Sequence, residues 1–321
     1  MSTPQAAPDV PATPDRSGFV AALSAYSLWG FFVVYFKAVA HVDAREVLAH
    51  RIVWAVPFCA LLLAITGRMG NFKALLRSRK AWRAMSLSAV LISINWLAFI
   101  WAIANDHVIE ASLGYFINPL LSILLGMVFL GERLRRAQWF AIALAAIGVS
   151  YMTAREGAPI VAFTVAVTFA FYGLVRKAAH PGPLAGLMFE TSLLFPFALA
   201  YMVYLQLSSD HAFAFIDGGL GTSALLMAAG AITCTPLLLF AVGAKKLPLS
   251  TMAFLQFLTP TLQFAMGLLY GETFSVTRMI SFSLIWAGIG VFIIDQIKQS
   301  GLRRGERALQ IAPSRTADER S

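Results

Sequence analysis

The sequence predicts an all-α integral membrane protein, with ten transmembrane helices arranged as two inverted five-helix repeats. Three observations carry that prediction. Only 13% of the 321 residues are charged and 59% are hydrophobic, whereas an ordinary soluble domain carries about 25% charged residues. Apolar runs of roughly 17 to 25 residues recur from end to end, each about the length of helix that crosses a bilayer core. Lys and Arg alternate between rich and poor connectors without a break.

The runs place spans at 18–36, 45–66, 84–104, 109–130, 137–154, 159–175, 184–206, 221–243, 249–270 and 276–297. In lipid a lone segment satisfies its backbone hydrogen bonds only as a helix. A β-barrel would show short alternating segments, and these runs do not alternate.

Charge then orients the spans. Arg16 precedes the first. Arg68, Lys73, Arg77, Arg79, Lys80 and Arg83 follow the second, and Arg133, Arg135 and Arg136 the fourth. Arg176 and Lys177 follow the sixth, Lys245 and Lys246 the eighth. Lys298, Arg303, Arg304, Arg307, Arg315 and Arg320 follow the tenth. That is 20 of 25 bases on one side, with Lys37, Arg45, Arg51, Arg155 and Arg278 left over. The base-rich side faces the cytoplasm, so both termini are expected there. The net charge of +9 is therefore read as orientation, not as a nucleic-acid footprint. Residues 1–17, with four prolines, and 298–321, polar and Arg-rich, read as disordered cytoplasmic tails. Ala38-Val39-Ala40 resembles a signal-peptide cleavage site, but the first run is longer than a typical signal core. Cys59 and Cys234 lie in separate apolar runs and form no C-x-x-C. They read as small packing residues, not as a disulfide or metal framework.

The chain also repeats itself. The fourth span holds Phe116-Ile117-Asn118-Pro119, then Gly126 and Gly131-Glu132; the ninth holds Phe257-Leu258-Thr259-Pro260, then Gly267 and Gly271-Glu272. Ile-Gly-Val recurs at 147–149 and 289–291, and an aromatic-Gly pair at Trp29-Gly30 and Tyr172-Gly173. Arg51 precedes Pro57-Phe58 by six residues, as Glu190 precedes Pro196-Phe197. An odd number of spans per unit means that the units, 18–154 and 159–297, enter from opposite faces. Such inverted repeats mark secondary transporters, with the solute site near the midplane between them.

Four stretches give a family resemblance: Glu46-Val-Leu-Ala-His-Arg-Ile-Val-Trp54, Ile94-Asn-Trp96, Glu110-Ala-Ser-Leu-Gly-Tyr-Phe-Ile-Asn-Pro119 and Gly131-Glu132. Over roughly residues 18–297 the chain resembles the RarD family, in the EamA branch of the drug/metabolite transporter superfamily. The resemblance implies a ten-helix carrier of a bacterial inner membrane, of a kind associated with chloramphenicol sensitivity. It does not name the solute.

Ionisable groups inside a bilayer are costly and are functional candidates by default. Arg51 lies about 9 Å below one surface and Glu190 equally deep from the other, by helical rise. Arg51 is read as a site for an anionic group and Glu190 as a protonatable group, against the alternative that both only anchor helices. The fourth span puts Asn118 and Ser122 on one face of small and polar residues, beside Pro119, a helix-kink candidate like Pro260 in the ninth. Asn95, Trp96, Tyr115, Thr233, Thr235, Gln256, Thr259 and Gln263 complete the pathway candidates; interhelical hydrogen bonding alone is the plainer account of the polar ones. His50 is expected to be a packed neutral histidine.

The aromatics favour a small amphipathic organic solute; the repeat implies alternating access, and export is the expected direction. No catalytic, metal or nucleotide motif is present, so no enzyme activity, cofactor or ATP is expected. Uphill movement would draw on a proton or ion gradient. The alternative is a non-transporting membrane sensor or assembly factor, although no sizeable soluble domain is available for signalling.

Overall fold

The computed structural model describes residues 16–130, 135–179, 182–208, 213–247 and 255–311, and all regular secondary structure among them is helical. The helices are α1 (Arg16–Ala38), α2 (Ala44–Ile65), α3 (Met69–Arg77), α4 (Arg79–Ala104), α5 (Val108–Leu130), α6 (Arg136–Glu156), α7 (Ile160–Ala179), α8 (Pro183–Leu207), α9 (Ala214–Asp217), α10 (Gly219–Lys246), α11 (Leu258–Leu269) and α12 (Val276–Ile311). Eight contain segments long and apolar enough to cross a membrane, in α1, α2, α4, α5, α6, α8, α10 and α12. At 1.5 Å per residue such helices span about 30 Å, the thickness of the hydrocarbon core. Large apolar side chains such as Ile65, Val128, Phe197 and Leu269 stay exposed, a surface that suits acyl chains rather than water.

The sixth and ninth predicted spans coincide with shorter apolar helices, Ile160–Arg176 and Leu258–Leu269. Within the ninth, Leu255 and Gln256 are helical, Phe257 turns, and α11 begins at Leu258. Pro260 therefore stands in the first turn of a helix, where its missing N–H is tolerated, rather than inside a continuous span. Pro119 lies within the unbroken α5. Two stretches are more helical than hydropathy suggests. The basic connector after α2 forms α3, seated by buried Leu75 against Ala185 and Phe189 of α8. The last helix runs on to Ile311, so residues 298–311, expected as tail, are helical. Residues 1–15, 131–134 (with Glu132), 248–254 and 312–321 lie outside the described residues.

The bundle has chemically distinct ends. At one, carboxylates meet helix N-termini, where unpaired N–H groups and the helix dipole favour negative charge. Glu272 accepts from the N–H of Val108 (2.5 Å) and Ile109 (2.8 Å) at the start of α5. Glu110 accepts from Val161 (2.9 Å) in α7, and Glu46 from Phe215 (3.1 Å) in α9. Lys37–Asp106 and Arg278–Glu156 pair across neighbouring elements at this acid-rich end. The opposite end carries α3, Lys246 and Arg135, which pairs with Asp295 at 3.0 Å.

Between the ends, small residues set the closest approaches, as in membrane bundles generally. A Cβ on Gly230 of α10 would lie 2.3 Å from the carbonyl oxygen of Trp54 in α2, against backbone that cannot swing away. One on Gly290 of α12 would meet nothing within 4 Å. Gly230→Ala should therefore destabilise the purified protein by about 1–3 kcal/mol, lowering its melting temperature in detergent. Gly290→Ala should leave that temperature unchanged; equal melting of the two variants would contradict a close α2–α10 contact.

A buried arginine cage and a buried ion pair

Two clusters of buried polar side chains occupy different levels of the bundle. The first centres on Arg51. The seven residues before it in α2 start at the Asp43 cap, which fixes the entry of the helix by accepting from Arg45 N–H. This places Arg51 two turns inside the acid-rich end, with 5% of its surface exposed. Its guanidinium lies over the Trp96 ring of α4, 4.1 Å from the centroid, and within 5.6 and 5.8 Å of the Phe36 and Phe32 rings of α1. Nε donates to the Thr233 hydroxyl of α10 at 2.9 Å. Among the described residues that is its one hydrogen bond, and no carboxylate pairs with it. Removing a lone ion from water costs several kcal/mol even after relaxation, and stacking on a desolvated aromatic face returns about 2. The cage alone leaves that charge undercompensated.

A polar seam adjoins the cage. The Tyr115 hydroxyl donates to Asn95 Oδ1 (3.2 Å), while Asn95 Nδ2 donates to the Val165 carbonyl (3.0 Å) and Thr168 (3.1 Å) of α7. Asn95 is thus saturated and ties α4, α5 and α7 together.

The second cluster centres on Glu190 of α8, fully buried. Its Oε1 accepts from Ser88 of α4 at 2.5 Å and from Arg176 of α7 at 3.0 Å. Arg176 also donates to the carbonyls of Gly182 and Pro183. It lies 5.5 Å from the Tyr172 ring, one helical turn back. Glu190 therefore has a counter-charge, and Arg51 is not it.

Other candidates are dispersed. Thr259 donates to the Tyr26 carbonyl (2.9 Å) and Gln263 to that of Trp29 (3.3 Å), bonding α11 to α1. Ser122 is exposed and donates to Asn118 within α5 (2.9 Å). Asn118 Nδ2 and Gln263 Oε1 are buried and without a partner among the described residues. Thr235 points out of the bundle, exposed, and Gln256 is half-buried.

Comparison with known proteins sets the frame for these clusters. A family model described as the EamA-like transporter family matches residues 16–154. The protein RarD of Salmonella typhi is 44% identical over 284 residues, 88% of this chain and 96% of that one. The chain belongs to the RarD family of EamA-like transporters. An uncharacterized transporter of Vibrio cholerae is 41% identical over 304 residues, 92% of this chain and 99% of its own length. One crystal structure shares the fold, with a TM-score of 0.55 at 18% identity, over 87% of this chain and 96% of that one. Family membership and the apolar helices make this a multi-pass membrane transporter of the drug/metabolite type, in a bacterial inner membrane.

Several residues join these clusters without a signal in the sequence. Arg176 reads as a connector base just after the sixth predicted span, yet it sits in the last turns of α7 at helical spacing from Tyr172. Ser88 precedes Thr233 by nearly the interval that separates the repeated motifs, a signal that could have found it. Phe32, Tyr35 and Phe36 looked like ordinary span residues. Cys59 and Cys234, far apart in sequence, meet with sulfurs 3.1 Å apart between α2 and α10. His50 is packed as expected, stacked on Phe215 and accepting from Trp54 at Nδ1, which makes it a neutral ring.

The Glu190 cluster predicts a charge cycle. Arg176→Met leaves a buried carboxylate without its counter-charge and should cost about 3–5 kcal/mol, read as a lower melting temperature. Adding Glu190→Gln should restore most of that loss. No recovery in the double variant would mean that the pair contributes through packing alone.

Proposed function

We propose that the chain is a secondary carrier that moves a small amphipathic organic solute by alternating access, most simply outward. Its architecture is read as ten spans in two inverted five-helix units, with both termini cytoplasmic and the acid-rich end outside. The observation that carries this reading is the helix pairing. Exchange the five spans α1, α2, α4, α5 and α6 for α7, α8, α10, α11 and α12. The packed pair α1–α10 then maps onto α7–α4, α1–α11 onto α7–α5, and α2–α10 onto α8–α4. The pairs α2–α8, α5–α11 and α6–α12 map onto themselves. The polar contacts follow the same exchange: Arg51 of α2 bonds Thr233 of α10, and Glu190 of α8 bonds Ser88 of α4.

A seam between such units is where a carrier keeps its solute site. The Arg51 cage lies toward the outer mouth on this reading, with the Glu190 cluster toward the inner one. Asn118 and Gln263, each with an unmet polar atom, offer further hydrogen bonds along the path. Glu190 is the group that would take up a proton and release Arg176 and Ser88, loosening α8 from α7 and α4.

Purified protein in sealed liposomes should accumulate a labelled solute when a proton gradient is imposed. Glu190→Gln should flatten the dependence of the rate on pH while leaving solute binding in place. A rate and pH profile equal to those of the parent would remove the proton role. Absence of movement for every solute that binds would favour a sensor over a carrier.

A further inference from the structure

We infer that the Arg51 cage is the receptor for a carboxylate on the solute, so that the transported class is small organic monoanions with an apolar or aromatic body. The inference rests on the carrier reading and adds the chemistry of what is carried.

Arg51 has five N–H donors in a planar fork. Nε–H is spent on Thr233. The four N–H groups of the two terminal nitrogens have no hydrogen-bond partner among the described residues, although Arg51 is buried. A fork of this shape binds a carboxylate with two parallel hydrogen bonds.

The surroundings narrow the class. No second base joins Arg51 in the cage among the described residues, which favours a single negative charge over the dianionic form of a phosphate ester. Trp96, Phe32 and Phe36 supply the walls, and such faces accept an apolar or aromatic body. The phenols of Tyr115 and Tyr35 donate to Asn95 and to the Leu225 carbonyl. They therefore hold the walls in place and do not compete for the guanidinium as acids. The residues that form the cage come from α1, α2, α4, α5 and α10, so an anion bound there bridges both of the proposed repeats.

The test uses the full chain purified in detergent and three acid–amide pairs at matched ionic strength: phenylacetate and phenylacetamide, indole-3-acetate and its amide, hexanoate and hexanamide. Affinity is read from the quenching of tryptophan fluorescence and from the shift in melting temperature. At least one acid should bind about tenfold tighter than its amide. Arg51→Gln should bring that acid down to the level of the amide and leave the amide unchanged. Arg51→Lys, which keeps the charge but not the fork, should fall between the two. Equal binding within all three pairs, no binding of any acid, or an acid preference that survives Arg51→Gln would overturn the assignment. If Arg51→Gln does not fold, the parent and Arg51→Lys still decide it. Uptake of the same labelled acid into proteoliposomes separates the two claims. Arg51-dependent binding without uptake keeps the receptor and sinks the carrier. Uptake of an uncharged solute that Arg51→Gln leaves intact, with no acid preference in binding, does the reverse.

Discussion

Water is absent from the middle of a bilayer, so each polar atom this chain carries between its ends has to be met by another part of the same chain. Most of them are. Asn95 uses its amide to join α4, α5 and α7, Thr259 reaches the Tyr26 carbonyl, and Glu190 has a serine and an arginine. A few are not: among the described residues Arg51 has four N–H groups without a partner, and His50 Nε2, Asn118 Nδ2, Glu190 Oε2, Gln263 Oε1 and Ser281 Oγ are buried without one. In a soluble protein they would be unremarked, because water would find them. On the proposed reading, those of Arg51, Asn118 and Gln263 are left for the solute.

The ends are tied by hydrogen bonds and the middle by close packing. At the acid-rich end Glu46, Glu110 and Glu272 each hold the N-terminus of a helix other than their own. Such cross-caps fix where α5, α7 and α9 begin, using groups that the helices would otherwise leave unsatisfied. For Glu272 burial pushes the carboxyl up, and the two N–H bonds from α5 oppose that rise. Deeper in, Gly114 lets α5 touch the backbone of α7 at Ala162, and Gly148 and Gly288 do the same between α6 and α12. Where backbones touch, helices move together as one body. The Arg51–Thr233 bond lies between α2 and α10, which also touch through Gly230 and the Trp54 backbone, and the Glu190 cluster reaches backbone through Arg176.

The spans were legible in the sequence because a bilayer imposes one length and one polarity on them. Eight emerge as long apolar helices among the described residues, and the sixth and ninth as shorter apolar segments. Arg176 belongs to α7 although it reads as a loop base, and the chain turns at Phe257, three residues before Pro260. The site was legible only in part. Arg51, Trp96, Tyr115 and Thr233 were singled out as a charge, two aromatics and a hydroxyl, and they meet. Their convergence comes from the crossing of α1, α2, α4, α5 and α10, which no local pattern encodes. Thr235 reads, with Thr233, as a hydrogen-bonding group of the same helix, but two residues along a helix turn a side chain through about 200°, and it is exposed while Thr233 is buried. Ser88 and Arg176 were passed over for the complementary reason, that a lone serine and a connector arginine carry no signal until the partner helix is in place.

The two clusters differ in one respect that bears on how a carrier avoids idling. Glu190 has its counter-charge within the protein, so closing that level of the bundle isolates no bare charge. Arg51 has none among the described residues, so closing the bundle around it without an anion isolates a bare cation in a medium of low dielectric. With a carboxylate in the fork, the same closure encloses a neutral pair against aromatic walls. On the proposed reading the loaded protein therefore crosses the occluded state more readily than the unloaded one, and the difference arises from a missing partner rather than from any added machinery. An acid placed beside Arg51 by evolution would have stabilised the resting fold and removed that distinction.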